Sequence, residues 1–402
     1  MSYRPFEAVQ AAPPDPILGL NEQFKQDANP HKVNLSIGIY QDETGHSPVL
    51  SSVKQAEKIL LEQETTKAYL PIPGDPVFAG HVRELVFGAE HPAMAAGTMA
   101  TIQAPGGTGA IRVGADFIAS EFANPNVWIS DPSWPVHRGI FAGVGKGVRT
   151  YPYLDAGSRS FDFEGMLKAL EETAEGDVVV MHAACHNPTG FDPTPEQWVR
   201  LAEWFSHRPV LPFFDLAYQG FGKGLDEDAY AVRMFAERGL ELMVANSFSK
   251  NFGLYRERVG ALTLLSSSPT AAERALSRLK VVVRNNYSNP PAHGGLLVAT
   301  ILSSPELRKL WLTEVDAMRE RIRAMREGLV EGLRKAGIRR DFSFLTAQQG
   351  MFSFSGLGEA EAARLREEFS VYILDNGRIN VAGLTPRNMD YVCQSIAAVL
   401  GG

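Results

Sequence analysis

Only two cysteines, Cys185 and Cys393, occur in 402 residues. Two thiols so far apart frame neither a disulfide scaffold nor a zinc site, and they fit a reducing compartment. Long apolar runs are missing as well. No window approaches a membrane span, and the N-terminus MSYRPFEAVQAAPPDPILGL lacks the layout of a signal peptide. The chain is therefore expected in the cytoplasm, with no membrane partner. An excess of basic residues is the third absence. The 39 Lys and Arg face 46 Asp and Glu, a net charge of −7, which argues against a nucleic-acid partner. There is no internal repeat and no low-complexity tract. What remains, 45% hydrophobic and 21% charged residues, is the balance of an ordinary soluble globular protein. The length suggests two domains, or one large domain with a satellite.

Along the chain, the stretch up to about Asn34 is rich in Pro, Asp and Asn and reads as an extended arm. KVNLSIGIY reads as a short strand, and SSVKQAEKILLEQ has helical spacing. Strand-like runs then alternate with helical segments. ATIQAP precedes GGTGAIRVGADFIASEF, NVWISDP precedes VHRGIFAGV, and DVVVMHAAC leads through HNPTG to TPEQWVRLAEWF. PVLPFFDLAYQGF and LELMVANSFSK follow. Apolar runs alternating with helices predict an α/β domain with a mainly parallel sheet. After about Ser304 the pattern changes. PELRKLWLTEVDAMRERIRAMREGLVEGLRKAG is a long amphipathic helix, expected to link the large domain to a smaller α+β one containing GMFSFSGL and GRINVAGL.

Ligands of open α/β sheets bind at the carboxyl ends of the strands, and here those ends carry unusual residues. The first has PGGTGAIRV. Gly106 and Gly107 allow close backbone approach, Thr108 adds a hydroxyl, and the following helix aims free N–H groups outward. A tight turn would also explain the glycines. The second has DPSWPVH, where Trp134 is either core or a flat stacking face, and His137 is either structural or functional. The third has HAACHNPTG, whose Asn187 is either a turn former or an amide donor. In FFDLAYQGF, Asp215 follows two phenylalanines and is expected to be buried, so it needs a cationic partner; Tyr218 can reach the same region. The fifth end brings Ser247, Ser249 and Lys250, with Arg258 eight residues on. Each has an ordinary explanation alone. Together they suit pyridoxal phosphate (PLP), where a lysine forms a Schiff base and an acid partners the pyridinium nitrogen.

At these residues the chain resembles the fold-type I PLP aminotransferases of the aspartate and aromatic subgroup. SFSKNFGLYRERVG, CHNPTG, DLAYQGF, NYSNPPAHG and GRINVAG carry the likeness, which runs from DPILGLNEQF to the C-terminus. The resemblance implies a mainly parallel seven-stranded sheet between helices, with a smaller α+β domain. Residues 1–40 would form an N-terminal arm and part of the small domain, 41–310 the large PLP-binding domain, and 311–402 the small domain with its linking helix. It implies a ping-pong Schiff-base mechanism in which Lys250 holds the cofactor and then moves the proton. Asp215 would hold the pyridinium, with His137 and His182 behind it. Trp134 would stack on the ring, and Asn187 and Tyr218 would contact the ring oxygen. Gly107, Thr108, Ser247 and Arg258 would bind the phosphate. Tyr69, in KAYLPIPG, would reach the phosphate in a neighbouring subunit, which implies a homodimer with shared active sites. Arg378, with the Gly38 backbone, would grip the α-carboxylate. Arg284, in VVVRNNYSNPP, would come from the other subunit to a distal carboxylate. No metal is implied.

The expected substrates are amino acids and 2-oxo acids, with L-aspartate and 2-oxoglutarate giving oxaloacetate and L-glutamate. Thr108 and Asn289 look like the aspartate type. VNLSIGIY, YLPIPG and ATIQAPGGTGAIRVGADF lean towards the aromatic type, with Ile39 and Leu70 expected near the pocket. An apolar pocket separates competitors weakly, so activity on aromatic amino acids is expected too, and a mainly aromatic enzyme is the alternative. The same fold hosts lyases and decarboxylases. Holding both carboxylates with Arg378 and Arg284 favours transamination.

Overall fold

The apolar runs form one central sheet. The computed structural model describes residues 4–12, 15–155, 157 and 159–401. Seven strands make the sheet: β1 Met99–Pro105, β2 Asn126–Asp131, β3 Gly147–Pro152, β4 Val178–His182, β5 Leu211–Leu216, β6 Leu242–Ser247 and β7 Val259–Leu265. Their order in space is β1-β7-β6-β5-β4-β2-β3. β7 runs antiparallel to both its neighbours, and the other pairs are parallel. Every residue of β4, β6 and β7 is buried, which is why they read as continuous apolar runs without alternation. The sheet is thus the mainly parallel seven-stranded one expected.

Helices cover both faces. On one, Gly106–Glu121 packs Ala110, Ile111, Val113 and Phe117 against the sheet. Its Gly114 is needed for that approach, since a Cβ there would lie 2.7 Å from the Phe213 ring. On the other face, Pro195–Ser206 starts at a capping box formed by Thr194 and Gln197 and buries Trp198, Leu201 and Phe205. No described helix is long and apolar enough to cross a membrane.

Two features differ from the sequence expectation. The N-terminal stretch is not simply extended. Pro16–Gln26 is an 11-residue helix, capped by Asp15, whose carboxylate accepts from Ile17 N and Leu18 N at 2.9 Å. Asp followed by Pro is a helix start, and the density of prolines masked it. Residues 1–3, 13 and 14 of that expected arm lie outside the described residues. The second difference is β7, whose run VGALTLL directly follows the lysine segment and enters the sheet antiparallel.

The amphipathic helix expected after Ser304 spans Pro305–Lys335, with Ser304 accepting from Leu307 N. Its buried stripe is Leu307, Trp311, Val315, Met318, Ile322, Arg326, Leu329 and Leu333. Every step is three or four residues, as a single helical face requires; only Arg326 is not apolar. Beyond it, Phe352–Phe354 pairs antiparallel with Arg378–Asn380, and Val371–Tyr372 pairs parallel with Val33–Asn34. Helices Glu359–Phe369 and Met389–Leu400 complete this smaller α+β part.

Trp311 joins the long helix to the lysine segment. It is fully buried, its Nε1 donates to Asn251 O at 2.8 Å, and its ring stacks on Phe252 with centroids 4.4 Å apart. Trp311→Ala should lower the unfolding free energy by about 3–5 kcal/mol, read from urea denaturation. A loss below about 1 kcal/mol would show that this contact does not anchor the helix.

Candidate active site

The strand ends converge on one cleft of about 700 Å³. Gly38, Gly107, Thr108, Trp134, His182, Asn187, Asp215, Tyr218, Ser247, Lys250, Arg258 and Arg378, all singled out from sequence, line it. His137 sits behind Asp215.

One end of the cleft is a cradle. Gly106 has φ +75°, and a Cβ on it would lie 2.4 Å from a guanidinium nitrogen of Arg258. A Cβ on Gly107 would crowd Ser247 at 3.0 Å. The glycines therefore let Arg258 and Ser247 close on the start of helix Gly106–Glu121, where backbone N–H groups lack helical partners. Arg258 itself takes a left-handed conformation, φ +54°, and its Nη1 donates to Tyr255 O at 2.8 Å. Backbone donors, hydroxyls and a guanidinium in one concavity suit a phosphate dianion.

The middle of the cleft holds a buried acid. Asp215 Oδ2 lies 3.0 Å from His137 Nε2, and His137 Nδ1 lies 3.0 Å from Ser133 Oγ. His182 is the register partner of Asp215 on the adjacent strand, with its ring centroid 5.1 Å from that of His137. Burial works to raise the Asp215 pKa, but the His137 hydrogen bond and the charges of His137, His182 and Lys250 outweigh it and hold the carboxylate below its ordinary value. Burial pushes His182 well below its ordinary value, with His186 and His137 adding to the effect. No described residue bonds Asp215 Oδ1, which leaves it for a donor in the cleft. The ligand atoms of His137, His182 and Asp215 also lie within 4.8 Å of one another, close enough for a metal; His137 Nε2 and Asp215 Oδ2 are already engaged with each other.

Lys250 follows β6, with its Nζ 4.9 Å from the centre of the Tyr218 ring. Burial pushes its pKa down to about 8, against the attraction of Asp215 and with the repulsion of Arg258. Burial pushes the Tyr218 hydroxyl above its ordinary value, so it remains a donor at neutral pH. Arg378 is buried at 2% exposure. It donates to Asn187 Oδ1 at 3.3 Å and to Ser36 O, its guanidinium lies 4.2 Å from the Phe352 ring centre, and its Nε has no partner. Arg378 forms no ion pair among the described residues. A buried guanidinium without a counter-charge suits an incoming carboxylate. With Asn187 Oδ1 engaged by Arg378, the amide nitrogen remains to donate into the cleft.

Tyr69 and Arg284, expected to act on a neighbouring subunit's site, lie outside this cleft. Tyr69 is 91% exposed and Arg284 is exposed, with its Nη1 donating to Ser288 Oγ. Their segments are tied together. Ser288 Oγ bonds Asn289 Oδ1 at 3.0 Å, and Asn289 Nδ2 bonds Leu70 O at 2.7 Å. Ile39 and Leu70 do not line this chain's cleft. Its apolar wall comes instead from Ile17, Ile111 and Phe352, none of them singled out from sequence. The Asp15–Pro16 helix start ahead of ILGL was the available signal for Ile17. Phe352 sits in a three-residue strand, too short for a period.

The fold and this arrangement of lysine, buried acid and phosphate cradle define a pyridoxal-phosphate-dependent enzyme of fold type I. Residues 30–396 match the family model described as aminotransferase class I and II. The aspartate aminotransferase of Escherichia coli (strain K12) is 53% identical over 395 residues, covering 98% of this chain and 100% of that protein. The aromatic-amino-acid aminotransferase of the same organism is 46% identical, again over 98% of this chain and the whole of that protein. A crystal structure of the aromatic-amino-acid aminotransferase from Burkholderia pseudomallei, covalently bound to pyridoxal phosphate, aligns with a TM-score of 0.97 at 52% identity, covering 99% of this chain and 100% of that one. The chain belongs to the class I and II aminotransferases: it is a PLP-dependent transaminase.

The depressed pKa of Lys250 has a direct readout. Only the neutral amine is nucleophilic, and a pKa near 8 instead of 10.5 makes it available at lower pH. In the cofactor-free protein, acylation of Lys250 by an amine-selective reagent, followed by peptide mass spectrometry, should rise with pH to a midpoint near 8. A midpoint at the ordinary lysine value would mean that burial does not perturb the amine.

Proposed function

We propose that this transaminase moves the amino group of L-aspartate to 2-oxoglutarate, giving oxaloacetate and L-glutamate, and that it also accepts aromatic amino acids. The observation that carries this reading is the buried, unpaired Arg378 guanidinium in the same cleft as Lys250. It supports an α-carboxylate held at Arg378, with the Gly38 backbone beside it, while the amino group meets the cofactor at the lysine.

Bound pyridoxal phosphate supplies an aldehyde that takes up the amino group and a ring that draws electrons from the substrate Cα. The protein's part is binding, charge and proton movement. Gly107, Thr108, Ser247 and Arg258 hold the phosphate. Asp215, kept ionised by His137 with His182 alongside, keeps the ring nitrogen protonated. Trp134 stacks on the ring, and the Asn187 amide and Tyr218 hydroxyl donate to its oxygen. Lys250 carries the cofactor covalently at rest. Once freed from the cofactor, its Nζ would be the base that moves the proton between the substrate Cα and the cofactor's aldehyde carbon, a role that its lowered pKa favours.

Tyr69 and Arg284 complete the reading through a second copy of the chain. Both are exposed, and a chain of side-chain hydrogen bonds joins their segments, which supports one patch serving a partner's cleft in a homodimer. Arg284 then meets the distal carboxylate and Tyr69 the phosphate. We assign 41–310 to the cofactor-binding domain and 1–40 with 311–402 to the arm and small domain, the long helix crossing the boundary. The free, buried Cys185 and Cys393 fit a cytoplasmic protein.

A mainly aromatic enzyme is the second reading. Ile17, Ile111 and Phe352 give the cleft an apolar wall, and a solved relative at 52% identity is named for aromatic amino acids.

Lys250→Ala should lower turnover on the order of 10⁴-fold yet retain some noncovalent PLP, seen as absorbance in the desalted protein; near-normal turnover would refute the mechanism. Steady-state kcat/KM for aspartate and phenylalanine, each with 2-oxoglutarate, separates the two readings. Preference for aspartate supports the first, and equal or better use of phenylalanine supports the second. Arg284→Ala should reduce kcat/KM for aspartate and 2-oxoglutarate by roughly 100-fold, the loss of an ion-paired contact, and spare the phenylalanine half-reaction. A uniform loss across all three would make Arg284 structural.

A further inference from the structure

The criterion that singles out Arg378 singles out one other residue. Among the described residues only two arginines are buried, Arg378 at 2% and Arg326 at 4% exposure, and neither forms an ion pair with a described carboxylate. Arg326 faces a second cleft of about 800 Å³, formed by the long helix Pro305–Lys335, the Phe221–Lys223 turn and the Gln348–Gly350 segment. This cleft backs onto the active site. Gln349 N donates to Gly190 O at 2.6 Å, and a Cβ on Gly350 would lie 2.4 Å from Cys185 Cβ, so its floor packs on the loop that carries Asn187.

Arg326 Nε donates to Ser353 Oγ at 3.1 Å and Nη2 to Gly350 O. Both acceptors are neutral, and Nη1 has no described partner. Around it the charge is uneven. Lys223, Arg319, Arg323 and Arg326 line the cleft with two carboxylates, Glu320 and Glu327. Those two are already engaged: Arg323 pairs with Glu320 at 2.5 Å and with Glu327 at 3.9 Å, and Arg319 lies 3.9 Å from Glu320 while pairing with Asp316 outside the lining at 2.8 Å. Arg326 and Lys223 form no ion pair with a described carboxylate; the Glu327 carboxylate, already shared with Arg323, still acts on Arg326 from a distance. Burial lowers the Arg326 pKa to about 10, which still leaves it cationic at neutral pH. A buried cation with no direct ion pair is costly, and it interrupts a helix stripe that is otherwise wholly apolar.

We propose that this cleft is a binding site for a small soluble oxyanion, a carboxylate or phosphate group, with Arg326 at its floor and Lys223 at its rim. The Gln349 side-chain amide, which has no described hydrogen-bond partner, adds a neutral donor. The site is separate from the one that holds cofactor and substrate.

The test is thermal unfolding of the PLP-loaded protein in rising sodium phosphate, against sodium chloride at matched ionic strength. A saturable rise in Tm beyond the chloride control is expected. Arg326→Met, which restores the apolar stripe, should lose it. Lys223→Ala, an exposed substitution that leaves the fold intact, should raise the half-saturating phosphate concentration roughly tenfold, the loss of one charge-assisted hydrogen bond. Repeating the titration with sodium acetate identifies the natural chemistry. Tighter acetate binding points to a carboxylate ligand, and tighter phosphate binding to a phosphate ester. A rise of equal size and midpoint in Lys223→Ala and the unmodified protein would overturn the proposal, as would the absence of any rise beyond chloride. Arg326 would then serve only to anchor Gly350 and Ser353.

Discussion

A carboxylate at the inner end of a buried strand must be kept charged, and much of the architecture follows from that requirement at Asp215. Burial alone favours its protonated form. The opposing force is His137, 3.0 Å away, held in turn by Ser133 in the loop that follows β2. The ends of β5 and β2 must therefore reach each other across β4, which lies between them in the sheet, and the parallel run of all three strands brings those ends to one edge. Asp192 shows the alternative. It is half-buried, accepts only backbone N–H groups, from Cys185 and His186, and desolvation pushes its pKa up to about 6. The two acids thus shift in opposite directions, one with an imidazole beside it and the other with amides alone.

On the proposed reading, the cleft is complete at its cofactor end and open at its substrate end. Donors for a phosphate, a ring nitrogen partner and the lysine all come from one sheet. The residues expected to read a distal carboxylate come from Tyr69 and Arg284, on an exposed patch. Chemistry and selectivity are thereby separated in the architecture. The first is built into the core of a chain, the second into a surface that can change without disturbing the core.

Much of this was legible in the sequence. Strand-end positions of Thr108, Trp134, Asn187, Asp215 and Lys250 followed from apolar runs ending in polar residues, a pattern with a strong physical cause. Arg378 was legible only through motif resemblance, since an arginine in a turn has no periodic signature, whereas Arg258 stood out by its place eight residues after Lys250. The apolar wall was not legible. Ile17 comes from a short helix hidden among prolines, and Phe352 from a strand too brief to alternate. Leu70 and Ile39 were expected near the pocket because they adjoin motif residues, but adjacency in sequence does not decide which way a side chain points. The antiparallel β7 was missed because an all-buried strand reads the same in either direction.

The long helix Pro305–Lys335 touches both ends of the chemistry. At Trp311 it is bonded to the peptide after Lys250. Fifteen residues on, Arg326 grips Gly350 and Ser353, next to the phenylalanine that underlies Arg378. At 1.5 Å per residue those grips are about 22 Å apart. An unbroken α-helix scarcely stretches, so it acts as a ruler laid between lysine and carboxylate clamp. One inserted residue between the two grips would rotate the second by about 100° and throw the clamp out of alignment, however conservative the insertion. The outer face of that helix carries no such constraint, whereas its length between Trp311 and Arg326 sets the spacing of the two grips.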